Sequence, residues 1–518
     1  MPARRSYARA VHDYVIVGAG SAGCVLAARL SENPAVRVLL LEAGERDRKL
    51  EIRIPAAFSK LFDSEVDWGF RTAPQPALDG REIVFPRGRV IGGSSSINAM
   101  MVLRGHPVDH SEWGLGWSWE DVQPAYAKSE PAFPRADLGD RHELTVAFVD
   151  AAVAAGLQLR ADLNGPDNEG VGFVPVSQRR GRRFSVADGY LRPARRRPNL
   201  EVHTGTEAEC LLLERGRARG VAYRRAGKEH EARAGREVIL CAGAVGSPHL
   251  LLRSGIGPVD ELANAGVELV HELSGVGRNL RDHLANGILI ATEGVETLYS
   301  AESLANLARW VVRGRGPLTS NIAEAAAFVR TSEHLPGPDL ELVFAPVLFE
   351  DEGLARPSRH GVTIASVLLQ PRSVGEVRLS SDGARTPVID PCYLTDPGGR
   401  DAAVLVDGLR LARKIAGTQP LARHLAGELL PGDDAVSEDD LLAHVRERSQ
   451  TLYHPVGTCR LGTDELAVVD PELRVRGLDG LRVVDASVIP ALPRGHTNWP
   501  TVMVAERAAE LIRAATKR

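Results

Sequence analysis

Residues 13–44 read D-Y-V-I-V-G-A-G-S-A-G-C-V-L-A-A-R-L-S-E-N-P-A-V-R-V-L-L-L-E-A-G. The apolar run 14–17 is too short for a helix and rich in β-branched side chains, and it stops at Gly18-Ala19-Gly20-Ser21-Ala22-Gly23. Val25, Leu26 and Leu30 then recur at helical spacing, and a second run, 36–41, ends at Glu42 and Ala43. The unit is a strand, a glycine turn, a helix and a second strand. In such a unit Gly18 permits the tight turn, Gly20 lets a pyrophosphate approach the backbone, and Gly23 lets the helix pack closely on the strand. Ser21 and Ala22 open the helix, whose N-terminus offers phosphates unpaired N–H groups and a positive dipole end. Glu42, about 20 residues beyond the loop, is placed to accept hydrogen bonds from ribose hydroxyls. The glycines in this context point to a dinucleotide; NAD and FAD share the adenosine diphosphate end and are not told apart here.

At 518 residues the chain exceeds what one core usually supports, so two domains are expected. A formal charge of −4 is close to balance and suggests neither nucleic acid nor an electrostatic membrane anchor. Cys24, Cys210, Cys241, Cys392 and Cys459 form no C-x-x-C pair and no metal spacing, which reads as reduced, mostly core thiols. Arg4, Arg5 and Arg9 precede an apolar run that is the first strand itself, so no separate signal segment is expected. No apolar stretch approaches the roughly 20 residues of a membrane span. A cytoplasmic protein is the expectation.

Outward from the first unit, residues 87–101 read R-G-R-V-I-G-G-S-S-S-I-N-A-M-M, in which serines behind Gly92 and Gly93 make a donor-rich turn suited to a second polar part of a ligand, or an ordinary Ser-rich loop. Residues 113–126 read as a loop entering a helix and 142–156 as a helix. Residues 164–190 are turn-rich, with Arg179, Arg180, Arg182 and Arg183 expected on a solvated face. Strands alternate through 199–236, with a hairpin at Gly227, and feed the apolar run 238–241. A glycine turn and a helix follow, a second such unit suited to another edge of the nucleotide domain. Runs at 340–344, 362–369 and 376–379 lack crossover helices, which predicts an antiparallel sheet flanked by helices near 304–312 and 404–415. Residues 346–361 read equally as a lid or a surface loop. Near the C-terminus, Tyr453-His454-Pro455-Val456-Gly457-Thr458 precedes a strand at 481–484, then Asp485 and Ala486, then Gly495-His496-Thr497-Asn498-Trp499-Pro500 ahead of a helix with Pro500 in its first turn. His496 and Thr497 thus sit where helix N–H groups lack partners and negative charge is stabilised.

Oxidising an alcohol requires removal of a hydroxyl proton and departure of hydride from the same carbon. An imidazole can take the proton and a flavin the hydride. Two histidines, each framed by Pro, Gly and Thr, suit the first task. The blocks G-R-V-I-G-G-S-S-S-I-N, G-A-V-G-S-P-H-L-L-L-R-S-G-I-G, V-G-R-N-L-R-D-H, Y-H-P-V-G-T and G-H-T-N-W-P-T, with the first unit, together resemble the glucose-methanol-choline (GMC) oxidoreductase family over nearly the whole chain.

The resemblance implies FAD, and hence an α/β chain with a Rossmann-like FAD-binding domain and a second, α+β substrate domain on an antiparallel sheet. Residues 1–155, 196–287 and 441–518 are assigned to the first, and 156–195 and 288–440 to the second. By resemblance His454 matches the catalytic base and His496 a second position, usually His or Asn, that bonds the substrate oxygen. Asn98, Ala99, Met100 and Met101 match the segment along the flavin ring, Ala208 a backbone contact to adenine, and Asp485 and Ala486 residues near the ribityl-phosphate portion. Arg89, Gly92, Gly93, Ser94 and Thr497 complete the expected cofactor contacts, and no metal is expected. Ile97 stands where some members attach FAD through histidine, which implies non-covalent FAD. Trp499 replaces a commonly small residue and either narrows the pocket or packs under the last helix. The expected partner is a small-molecule alcohol, with the electron acceptor open among oxygen, a quinone and another redox cofactor, and a dehydrogenase preferred to an oxidase. A flavin-containing hydroxynitrile lyase is the alternative on the same scaffold; a non-catalytic flavin binder and a nicotinamide dehydrogenase are further competitors.

Overall fold

The structure, a computed structural model, describes residues 12–381 and 386–515. Arg4, Arg5 and Arg9 lie outside the described residues. In chain order, the first strands of the two main sheets are β1 (His12–Val17), β2 (Val38–Leu41), β3 (Gly170–Phe173), β4 (Leu200–His203), β5 (Thr206–Glu214), β6 (Arg217–Arg225) and β7 (Lys228–Leu240). They continue as β8 (Leu284–Thr292), β9 (Ala325–Val329), β10 (Leu340–Ala345), β11 (Gly361–Leu368), β12 (Leu425–Leu430), β13 (Gln450–Thr451) and β14 (Leu481–Val483). The longer helices are α1 (Ser21–Leu30), α2 (Trp119–Ser129), α3 (Glu143–Ala154), α4 (Gly243–Arg253), α5 (Leu304–Arg313), α6 (Arg400–Ala416), α7 (Glu438–Arg448) and α8 (Asn498–Ala515).

β2 is Val-Leu-Leu-Leu, every residue buried, as a parallel strand covered on both faces must be. The first sheet runs β4-β2-β1-β7-β6-β5, with β14 also on β7. β1 pairs in parallel with both β2 and β7, so Val17 lies beside Leu41 and Leu240, and Leu240 beside Val483. The carboxyl ends of these strands therefore share one edge, where ligands bind in open α/β sheets. The second glycine-turn unit, expected at another edge, is central instead. The last residues of β7 extend the parallel register next to β1, while its earlier part pairs antiparallel with β6 and forms the hairpin at Gly227.

The second sheet is antiparallel, in the order β12-β8-β11-β10-β9-β3 with β13 on β8. Its outer face, with Ile288, Leu342, Phe344 and Ile364, packs on α3, α6 and α7; the Phe148 and Phe344 rings stack at 4.7 Å. Alternation sends Gly287, Leu289, Val343, Ala345, Thr363 and Ala365 to the inner face, where they wall a cavity. Helix α3, within the residues 1–155 assigned to the FAD-binding domain, packs on this second sheet, and so do most of α7 and β13 from the 441–518 segment assigned to that domain. The run at 376–379 stays out of the sheet and forms a separate ribbon with Val388–Asp390.

Arg183 departs from the expected solvated face. It is buried, and its guanidinium donates to the Ile52 and Ser95 carbonyls and to Asn98 Oδ1 at 2.9, 3.3 and 2.8 Å. A two-residue hairpin alternates here, so Arg182 faces outward over Trp310 while Arg183 turns in. All the cysteines are free thiols, and no helix among the described residues is long and apolar enough to cross a membrane.

Candidate active site

The carboxyl ends of β1, β2 and β7, the turn after β14 and the inner face of the second sheet enclose one cavity of about 1080 Å³. At its nucleotide end Gly18, Gly20, Ser21, Ala22, Glu42, Ala43 and Ala208 form the wall, and Gly93 and Ser94 face them. Gly18 has φ +100°, and a Cβ there would lie 2.4 Å from the Cys241 carbonyl oxygen. A Cβ on Gly93 would lie 2.7 Å from Gly20 Cα, so the two turns touch without side chains between them. The Glu42 carboxylate accepts from the Ala19 and Gly44 N–H groups at 2.7 and 2.8 Å. Burial raises its pKa to about 7 against these two bonds, which pull it down.

Three expected cofactor positions are not among the lining residues. Gly23 is under the turn, where a Cβ would meet the Gly18 oxygen at 1.9 Å; Gly92 donates its N–H to the Ala19 carbonyl at 2.8 Å; Arg89 stacks over Trp68 at 5.0 Å. They shape the wall from behind. Asp485 lines the cavity, but its carboxylate is taken up by Gly243 N, Ser247 Oγ, Ser487 N and Ser487 Oγ at 2.8, 2.6, 2.8 and 2.5 Å. It ties the second glycine turn to the segment after β14.

Asn98, Ala99, Met100 and Met101 line the cavity together with Ile97, Ala486, Thr497 and Asn498. Ser21 Oγ donates to Asn498 Oδ1 at 2.7 Å, joining the first turn to the start of α8. Trp499 turns away from the cavity. It is buried against Tyr126 at a ring separation of 5.2 Å, and its Nε1 donates to Ser129 Oγ at 2.8 Å.

His454 and His496 line the same cavity, with ring centroids 4.6 Å apart. The Asp282 carboxylate accepts the His454 backbone N–H at 2.7 Å and is itself fixed by the Tyr393 and Thr451 hydroxyls, each at 2.5 Å. His283 Nδ1 stands 2.9 Å from His454 Nδ1. Burial, then the neighbouring His496 and His283 rings, hold the His454 pKa well below the ordinary 6.5. His496 Nε2 meets Glu341 Oε1 at 3.2 Å; Glu341 is fully buried and its Oε2 has no partner.

Sequence reasoning missed several of these residues. His283 and Asp282 lie inside the block V-G-R-N-L-R-D-H, which carries the resemblance but no assigned role, and Glu341 inside an apolar run, where an acid on the inner face of a buried strand was the available signal. Arg87, whose Nη2 donates to the Tyr453 carbonyl at 2.5 Å, and His249, whose buried Nε2 lacks a partner, also line the cavity. The reserved space between the glycine turns, the acid at the end of β2, the orphaned His249 nitrogen and one continuous cavity onward to the histidines fit an extended dinucleotide such as FAD.

The GMC oxidoreductase N-terminal family model matches residues 12–285 and the C-terminal one residues 371–505. The chain belongs to this family. An uncharacterized GMC-type oxidoreductase of Mycobacterium tuberculosis is 47% identical, over 97% of this chain and 99% of its own. An alcohol dehydrogenase [acceptor] of Pseudomonas putida is 41% identical over 97% of this chain and 96% of its own. The crystal structure of pyridoxine 4-oxidase from Mesorbium loti superposes with a TM-score of 0.88 at 34% identity, covering 97% of this chain and 99% of that one. This GMC protein is thus an FAD-dependent oxidoreductase with a mixed α/β fold, and FAD resolves the choice the first glycine motif left open.

Proposed function

We propose that the protein oxidises a small-molecule alcohol, with His454 removing the hydroxyl proton and His496 holding the substrate oxygen. One observation carries the reading: two imidazoles meet at 4.6 Å inside the cavity that begins at the dinucleotide turn. FAD bound along that cavity would supply the acceptor for the α-hydride. The proton is the protein's task. Burial keeps His454 neutral at physiological pH, so its lone pair is available without prior deprotonation. Glu341 anchors His496 from behind, and the start of α8, next to Thr497, lends positive potential that offsets negative charge accumulating at this end.

Ile97 supports non-covalent FAD, since it lines the cavity with a hydrocarbon side chain that offers no nucleophile. The approach to the histidines supports an apolar or aromatic alcohol. Phe58 stacks on Phe349 at 6.3 Å and Phe62 meets Tyr453 edge-on at 5.1 Å, all four on the wall. Phe349 belongs to the 346–361 loop, which therefore contributes to the cavity wall rather than being only surface. Dehydrogenase activity is favoured by the 41% identity to an acceptor-dependent alcohol dehydrogenase.

Anaerobic mixing with a panel of alcohols is the test. Bleaching of the flavin by apolar or aryl primary alcohols, then slow recovery in air, is expected, and acid precipitation should release the yellow cofactor. No bleaching with any alcohol, or an unchanged rate in His454→Ala, would sink the reading; bleaching also excludes lyase chemistry without redox change.

A further inference from the structure

Asp282 and His283 grip His454 from two ends, one by its main chain and the other by its ring. The second grip carries chemical information. Both nitrogens of the wholly buried His283 ring are engaged: Nε2 is 3.1 Å from the Leu369 carbonyl oxygen and Nδ1 is 2.9 Å from His454 Nδ1. A carbonyl oxygen only accepts, so His283 Nε2 carries hydrogen. Burial holds His283 neutral, and a neutral imidazole has one N–H, which leaves a lone pair on Nδ1. Two lone pairs facing each other at 2.9 Å would repel, so His454 Nδ1 must be the donor. Neutral His454 then has its own lone pair on Nε2. His454 lines the cavity, and with Nδ1 turned to His283 its Nε2 is the nitrogen left for a ligand.

We infer that His283 is a positioning residue that fixes His454 as the Nδ1–H tautomer and so aims a proton-accepting Nε2 at the substrate hydroxyl. The inference rests on His454 being the base. In the proton-transfer step the hydroxyl O–H bond breaks and an N–H bond forms at His454 Nε2. The hydride would leave separately, to the FAD that the cavity would hold, and the Nδ1–H bond to His283 persists throughout. Without the acceptor at residue 283, His454 divides between tautomers, and the wrong one presents N–H to a hydroxyl that needs a base. The charged and titratable groups facing His454 are His283, His496 with Glu341 behind it, Arg87 and Asp282.

The test compares His283→Leu, which removes the acceptor, with His283→Asn, whose Oδ1 can replace Nδ1 as acceptor. In the FAD-loaded wild type, ¹⁵N-histidine NMR, assigned by the signals lost in His454→Gln, should show His454 protonated at Nδ1 and bare at Nε2 at pH 7. In His283→Leu the anaerobic flavin-reduction rate should fall about 10- to 100-fold, the range typical of orienting partners, with KM for the alcohol nearly unchanged. His283→Asn should recover most of that rate. A wild-type His454 protonated at Nε2 overturns the inference, and this readout stands even where the Leu variant does not fold. So does a folded, yellow His283→Leu enzyme that reduces at the wild-type rate. If His454→Ala is also unimpaired, the base assignment itself fails; if only the His283 variants are unimpaired, the positioning role alone fails.

Discussion

Glu341, His283 and Asp282 show how much of the site's chemistry resides in side chains behind the ones that face the cavity. Asp282 satisfies three donors, the His454 N–H and the Tyr393 and Thr451 hydroxyls. Asp282→Ala orphans them at about 1–3 kcal/mol each, so a loss of several kcal/mol in urea unfolding is expected, together with loss of flavin reduction. The pH dependence follows from the two depressed histidines. Folded His283 titrates near 3 and folded His454 well below 6.5, whereas in the unfolded chain both take protons below about 6.5. Their contribution to stability is therefore complete above that value and declines as pH falls through it. Flavin reduction should likewise be flat through neutrality and drop only in acid, where His454 Nε2 becomes protonated. A pH–rate profile measured alongside acid unfolding checks both; a reduction rate that halves near pH 7 would contradict a base with so low a pKa.

At the scale of elements, the turn between β1 and α1 is the least tolerant feature. A methyl on Gly23 would sit 1.9 Å from the Gly18 oxygen, so the helix must lift off the strand. Gly23→Ala should cost about 1–3 kcal/mol, the usual range for overpacking, and lower the FAD content of the purified protein relative to wild type, read as a reduced visible flavin absorbance per protein. Helix α8 makes the opposite case. Trp499 sits in its first turn but points into the aromatic cluster with Tyr126 and Phe133. Trp499→Phe forfeits the bond to Ser129, about 1 kcal/mol, and should lower Tm while leaving the ranking of alcohols unchanged. A changed ranking would return Trp499 to the pocket. Strand β10 explains Glu341: period-two alternation puts residues 341, 343 and 345 on one face, and that face is the cavity's.

Across the whole molecule, the first and last elements are bound to each other. Ser21 reaches Asn498, and Arg29 of α1 pairs at 2.7 Å with the fully buried Glu506 of α8, which also accepts the Tyr190 hydroxyl at 2.7 Å. A ligand lying between them binds the folded state alone. FAD at about 100 times its Kd should add about 2.7 kcal/mol, seen as a Tm that climbs with FAD concentration; a Tm indifferent to FAD would remove the cavity as its site. The sequence by itself determined the β1–turn–α1 unit, the acid closing β2, the antiparallel character of the second sheet and the two histidine motifs. Those are local matters: residue spacing sets the period of strand or helix, and glycines and prolines set the turns within a few residues. Only the tertiary structure decided that β7 lies beside β1, that Arg183 turns inward under Asn98, and that Glu341 stands behind His496 and His283 beside His454. These pairs are separated by 155 and 171 positions, and their meeting depends on sheet register and on the docking of one sheet's inner face against the other's carboxyl edge, which no short-range pattern encodes.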